Sequence, residues 1–351
     1  MTYSQIDTPA VLVDLNIAEA NIDRFQAHCS KHGLNLRPHI KTHKLPFLAK
    51  RQIEAGAIGI TCQKISEAEA MISEGGIDDI LITFNIIGSE KLARLRTLAE
   101  KTKLSVVADN ATTIDGLSET FSSASTPLTV LIECDTGAER CGVSSPQAAI
   151  EMARYVSGKT GITFGGLMTY PPTDKEADVQ AWITEAKEGI EALGIDVPVV
   201  SNGGSPGMWQ AQDVPVATEY RIGTYVYNDR SLQARGTCNW EDCALSVLAT
   251  VVSVPTSSRA VIDAGSKALT SDLLGLDGHG YVIGRPDIKV AGLSEEHGVL
   301  TADTINLSVG DRVRIIPNHV CVVSNLFDKV QLTRGRKVLR PSTVTARGKV
   351  W

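Results

Sequence analysis

The chain has 351 residues, a formal net charge of −6, 43% hydrophobic and 21% charged residues, a pI near 5.7 and a mean hydropathy of +0.01. This describes a globular protein able to bury a large core. It excludes disordered and fibrous classes and lacks the basic footprint of a nucleic-acid binder, so no nucleic-acid partner is expected. No apolar stretch has membrane-spanning length and the first nine residues lack a secretion pattern, so a cytoplasmic protein acting on a small molecule, with no membrane partner, is expected. Seven scattered cysteines (Cys29, Cys62, Cys134, Cys141, Cys238, Cys243, Cys321), with no Cys-x-x-Cys pair, read as reduced thiols, mostly small core residues.

In chain order, an apolar run at 10–15 precedes a helical pattern at 17–32. From residue 34, short β-branched runs alternate with longer amphipathic ones. The apolar runs fall at 34–37, 58–63, 79–84, 104–109, 128–135, 164–170, 197–202 and 220–225. Helical patterns at 46–55, 67–74, 90–101, 146–156 and 178–193 lie between them. Strict alternation predicts a parallel sheet with helical crossovers, and eight units predict a closed (β/α)8 TIM-type barrel. After about residue 239 the segments 244–254, 260–263, 281–283, 312–316 and 320–323 are β-type with little helical periodicity, which predicts a C-terminal mainly-β domain. The expected division is 15–239 for the barrel and 240–351 for the β domain, with residues 1–14 pairing with the latter.

The segment 37–44, Arg-Pro-His-Ile-Lys-Thr-His-Lys, packs five potentially basic side chains into eight positions behind the first predicted strand. That is the carboxyl end, where barrel enzymes place their chemistry. Arg37, His39, His43 and Lys44 would make the potential around Lys41 positive, favouring its neutral amine and its attack on a carbonyl. Lys41 is therefore the candidate nucleophile; the alternative is a solvated basic loop. The loop after the seventh run carries Gly203, Gly204 and Ser205, and the loop after the eighth carries Gly223 and Thr224. Barrel phosphate sites are commonly built from those two loops, because glycine lets backbone N–H groups approach phosphate oxygens. A reactive lysine facing such a cradle describes a barrel that holds pyridoxal 5′-phosphate.

Two other strand ends point the same way. Arg140 is placed to contact the ring or phenolic oxygen of a cofactor, or else to pair with Asp135 or Glu139. Tyr170 is placed to bond a phosphate or a substrate, or else to cap the barrel core. In the second domain, residues two apart on a strand face one side, so His319 and Cys321 can hold one metal ion together; the alternative is a buried thiol beside a structural histidine.

These residues resemble the fold-type III pyridoxal-phosphate enzymes, specifically the D-threonine aldolase and D-serine dehydratase group. The resemblance covers nearly the whole chain. Its marks include Asp7-Thr-Pro-Ala, the lysine segment, Gln63-Lys-Ile-Ser-Glu67, Arg140-Cys-Gly-Val143, the Gly203-Gly-Ser loop, Thr218-Glu-Tyr-Arg-Ile-Gly-Thr-Tyr225, Ile262-Asp-Ala-Gly-Ser-Lys267, Glu296-His297 and the His-x-Cys at 319–321. It implies that Lys41 carries the cofactor as a Schiff base and that Gly203, Gly204, Ser205, Gly223 and Thr224 hold its phosphate. It further implies Arg140 and Tyr170 at the cofactor, His319 and Cys321 on a divalent metal (zinc, manganese or magnesium), and a homodimer with shared active sites. The expected activity is that of a lyase on β-hydroxy D-amino acids, of the D-threonine aldolase type, with Lys41 and His319 catalytic. Dehydration to a 2-oxo acid and ammonia is the alternative, followed by racemization and a non-catalytic cofactor carrier. Two departures matter: the better-known aldolases have aspartate at the Cys321 position and a glycine loop richer in glycine. A thiolate is the softer ligand and favours zinc.

Overall fold

The computed structural model describes residues 3–351. The chain forms two compact units, one made of 25–41, 46–223 and 349–351, the other of the residues up to 24, 42–45 and 224–348.

After a short 3₁₀ turn, Tyr3–Gln5, come β1 (Ala10–Asp14) and α1 (Leu15–Lys31). Eight strands then follow: β2 (Asn35–Leu36), β3 (Ile60–Cys62), β4 (Asp79–Ile82), β5 (Lys103–Ala108), β6 (Leu128–Cys134), β7 (Ile162–Thr169), β8 (Val199–Asn202) and β9 (Glu219–Tyr220). They pair in the order β2-β9-β8-β7-β6-β5-β4-β3, every neighbouring pair parallel. The ring closes between β2 and β3: Ile58 N–H donates to the Leu36 carbonyl at 3.0 Å and Thr61 N–H to that of Pro38 at 2.8 Å, beside a parallel bridge between His39 and Thr61. The expected barrel is therefore present.

Its crossovers are α2 (Pro46–Glu54), α3 (Ile65–Ile72), α4 (Ser89–Ala99), α5 (Ala111–Phe121), α6 (Pro146–Ser157) and α7 (Glu176–Glu191). Helix α5 was not among the helical patterns read from sequence, although Asn110 marks its start by accepting the Thr113 N–H at 2.9 Å. Inside, Leu81, Val107, Leu131 and Met168 form one buried cluster, filling the barrel as a layer of side chains. The eighth run is strand only at its start; the segment expected at 220–225 turns into a 3₁₀ helix, Thr224–Val226.

In the other unit, α8 (Arg230–Ala234) precedes β10 (Leu245–Thr256) and β11 (Arg259–Ile262). After α9 (Ser266–Leu269) come β12 (Gly280–Val282), β13 (Lys289–Leu293), β14 (Gly298–Thr301), β15 (Arg312–Pro317), α10 (Val320–Leu326), β16 (Lys329–Arg334) and β17 (Lys337–Thr343). With β1 they form a nine-stranded sheet, β11-β14-β13-β12-β15-β10-β1-β16-β17, in which β11 also pairs with β10. The run at 10–15 thus joins this sheet as expected, antiparallel to β10 and parallel to β16. The segment 320–323 does not: it is α10. Its valines favour a strand locally, but the Asp229 carboxylate takes the Val320 N–H at 3.2 Å, satisfying a first-turn donor and starting a helix. Among the described residues no helix is long and apolar enough to cross a membrane.

Candidate active site

Because β2 to β9 run parallel, their carboxyl ends share one rim. Lys41 sits beyond β2 in the 3₁₀ turn Ile40–Thr42. His39 shapes that turn: its Nδ1 accepts the Lys41 backbone N–H at 3.3 Å. Its Nε2 therefore carries the proton, donated to Gln63 Oε1 at 3.2 Å. Gln63 in turn donates its Nε2 to the Thr83 carbonyl at 2.7 Å, which fixes the amide's orientation.

The expected positive cluster around Lys41 is not what these residues form. Arg37 is buried, with Nε 2.8 Å from Glu219 and Nη1 2.5 Å from Asp79, so its charge is met by two carboxylates. Lys44 is also buried and points its amine at the Ala346 carbonyl, 3.2 Å away. His43 is buried and accepts the Leu45 N–H at 3.0 Å.

Beyond β6, the Arg140 guanidinium lies 4.6 Å over the Tyr170 ring and 4.0 Å from Glu133 Oε1, rather than with Asp135 or Glu139. Burial pushes the Glu133 pKa up, with Arg221 and Arg140 pulling the other way. Arg221 was not singled out from sequence. It is buried, its Nε donates to Ser201 Oγ at 2.8 Å and its Nη2 to the Thr169 carbonyl. The signal lay in the motif 218–225, at the end of a barrel strand.

Beyond β8, Gly203 has φ +137°, and a Cβ there would stand 2.2 Å from the Arg221 carbonyl oxygen; only glycine fits. A Cβ on Gly204 would meet Tyr170 Cε2 at 3.1 Å. Tyr220 anchors the loop, donating its hydroxyl to the Gly204 carbonyl at 2.9 Å. Ser205 is half-buried and Gly223 buried. A cavity of about 230 Å³ opens beside this loop, lined by Tyr170, Asn202, Gly204, Pro206 and Tyr220 among others. Thr224, just after Gly223, has its hydroxyl 3.7 Å from Cys321 Sγ.

In the β-domain unit, Cys321 Sγ is 3.1 Å from the Thr42 hydroxyl. His319 caps α10 with extended backbone and hydrogen-bonds Cys321. The two therefore meet at a helix start, not along a strand as sequence suggested. His319 Nδ1 lies 3.0 Å from Oδ2 of the fully buried Asp229. Burial alone would lower the His319 pKa, but its bonds to Asp229 and Cys321 outweigh that and hold it at about 10. Neither Asp229 nor Thr42 was among the sequence candidates.

A closed parallel barrel followed by an antiparallel β domain is an alanine racemase-like fold, and residues 13–231 match the family model "Alanine racemase, N-terminal domain". Residues 244–333 match the model described as "Putative serine dehydratase domain". The chain is 33% identical to a 3-hydroxy-D-aspartate aldolase of Paracoccus denitrificans over 99% of its own length and 94% of that protein's. It is 31% identical to the D-threo-3-hydroxyaspartate dehydratase of Delftia sp. strain HT23 over 94% of its own length and 95% of the other. The structure of a D-threonine aldolase from Filomicrobium marinum superposes with a TM-score of 0.94 at 30% identity, covering 100% of this chain and 98% of that one. The chain belongs to the D-threonine aldolase and D-serine dehydratase family of fold-type III enzymes, and is a lyase. One dehydratase structure, TM-score 0.88 at 29% identity over 98% of this chain and 99% of that one, is described as a metal-free form.

Proposed function

We propose that this protein is a pyridoxal-phosphate- and divalent-metal-dependent lyase that cleaves β-hydroxy D-amino acids between Cα and Cβ, as a D-threonine aldolase does. What carries this reading is the barrel rim: Lys41 and the glycine loop 203–205 stand beyond the ends of strands in a fold that superposes end to end on such an aldolase.

The residues fit both groups. For a phosphate, Gly203 admits no side chain where the loop passes the Arg221 backbone, and a cavity of about 230 Å³ lies against Gly204 and Tyr220 of the same loop region. For a metal, imidazole and thiol suit zinc. Among the described residues no three or more His, Cys, Asp or Glu side chains are grouped so as to hold a metal ion, so His319 and Cys321 alone would leave coordination positions open, as a catalytic metal requires. Bound pyridoxal phosphate supplies an electron sink at Cα, and the cation supplies a Lewis acid that lowers the pKa of a β-hydroxyl.

The chain's own residues do the rest. Lys41 Nζ anchors the cofactor covalently and Gly203, Gly204, Ser205 and Gly223 receive the phosphate with backbone N–H groups, in a loop pinned by Tyr220. Arg140, stacked on Tyr170, and Arg221 hold positive charge near the buried Glu133. His319 and Cys321 hold the cation.

Elimination of the β-hydroxyl is the second reading, with Lys41 Nζ removing the Cα proton. Cys321 favours it, since the better-known D-threonine aldolases have aspartate at that position. Incubation with D-threonine separates the two: equal amounts of glycine and acetaldehyde are expected, both abolished by chelation. Formation of 2-oxobutanoate and ammonia with no glycine would overturn cleavage in favour of elimination.

A further inference from the structure

We propose that Asp229 is a positioning residue that holds the His319 imidazole with its proton on Nδ1, leaving the Nε2 lone pair for the metal. This rests on reading His319 and Cys321 as the metal pair.

The argument is one of donors and acceptors. Asp229 is fully buried and both its oxygens are engaged. Oδ1 accepts the Leu232 N–H at 3.1 Å and the Ser231 hydroxyl at 2.7 Å, which makes Asp229 the N-cap of α8. Oδ2 accepts the Val320 N–H at 3.2 Å and lies 3.0 Å from His319 Nδ1. A backbone N–H can only donate, so the oxygen it meets is an acceptor, and the ring nitrogen sharing that oxygen must donate too. A ring that binds a metal gives up one of its protons and keeps a single N–H; with that N–H on Nδ1, Nε2 is the lone-pair nitrogen. A carboxylate behind a ligating histidine fixes the ring's tautomer and orientation in this way. The carboxylate is itself rigid, held by the backbone of α8 on one side and by the first N–H of α10 on the other. Cys321, the second residue of α10, is placed by the same contact, so one carboxylate sets the position of both proposed ligands.

Asp229→Asn tests this with little change in shape. Asparagine also caps helices well, so Oδ1 can keep Leu232 and Ser231 while Nδ2 faces two donors, His319 Nδ1 and Val320 N–H. The ring must then accept at Nδ1 and move its proton to Nε2, where the metal would bind. Cofactor-loaded wild type, Asp229→Asn and His319→Ala are stripped with a chelator and titrated with zinc against a chromophoric competitor. For Asp229→Asn we expect the zinc Kd to rise roughly 10- to 100-fold, with the cofactor absorbance band and circular dichroism unchanged. Zinc affinity within about twofold of wild type would overturn the proposal. Should Asp229→Asn not fold, ¹⁵N NMR of zinc-loaded wild type decides: Nδ1–H with Nε2 on the metal supports it, and the reverse assignment refutes it. His319→Ala separates the two levels. If it loses zinc while Asp229→Asn does not, only the role of Asp229 fails; if it keeps wild-type affinity, the metal-pair reading fails with it.

Discussion

Replacing Arg37 with methionine separates a catalytic from a structural role for the basic segment. In the barrel, Arg37 is 9% exposed at its side chain and lies between Glu219, 3% exposed, and Asp79, 18% exposed. Methionine keeps most of the volume and removes the charge. Asp79 retains Lys103 at 2.8 Å, so the cost falls on Glu219, which keeps the Ser201 hydroxyl at 2.6 Å and the attraction of the buried Arg221. Leaving one charge of a buried pair uncompensated typically costs about 3 to 5 kcal/mol, and the retained partners place this case near the lower end. That is roughly a hundredfold shift in the folding equilibrium. Urea unfolding followed by far-ultraviolet circular dichroism measures it. Adding Glu219→Gln should restore part of the loss, because the unpaired carboxylate is gone while the Ser201 bond has an acceptor, with Arg221 then left to Glu133 for its opposite charge. The reasoning is refuted if Arg37→Met unfolds within about 0.5 kcal/mol of wild type yet no longer retains pyridoxal phosphate, since Arg37 would then serve the cofactor through its charge.

Lys41→Ala should abolish the absorbance of lysine-bound cofactor, whereas His319→Ala should keep that band and lose turnover; the two spectra and a product assay check this. Gly203→Ala forces a Cβ to 2.2 Å from the Arg221 carbonyl oxygen at φ +137°, strain of about 1 to 3 kcal/mol. Pyridoxal phosphate affinity, read by absorbance titration, should fall about tenfold or more, and an unchanged affinity would remove this loop from the phosphate site. Burial raises the Glu133 pKa above its ordinary 4.5. Its contribution is therefore fully present below pH 4.5 and lost as pH rises through the raised value. Unfolding midpoints of wild type should fall relative to Glu133→Gln across that interval, and parallel pH profiles would refute the shift.

What sequence disclosed and what it concealed divide by the range of the interaction. The barrel was legible because its longer strands are mostly buried and read as largely apolar runs, as in β6, where every residue but Thr129 is buried, whereas β2 and β9 are two residues each. The pairing of β1 was legible for the same reason. Strands β13 and β17 were not, because the first has a single buried residue, Val290, and the second only Val338, too few to mark a period of two. The helix α10 read as a strand because its first turn is completed by Asp229, 91 residues earlier.

The same distinction governs the charges. Arg37 and Arg140 are both arginines at or beyond the end of a barrel strand, and nothing local tells them apart. Their surroundings do: Arg37 is enclosed by carboxylates 182 and 42 residues away in sequence, while Arg140 is 54% exposed, over an aromatic ring, with one carboxylate at 4.0 Å. A guanidinium whose donors are already paired within the fold has little left for a ligand; one half open on the rim keeps several of its five. The cluster at 37–44 therefore resolves into parts with different work. Arg37 and Lys44 tie the chain to itself and His39 shapes the turn, which leaves Lys41 as the member of that segment whose proposed role is chemical.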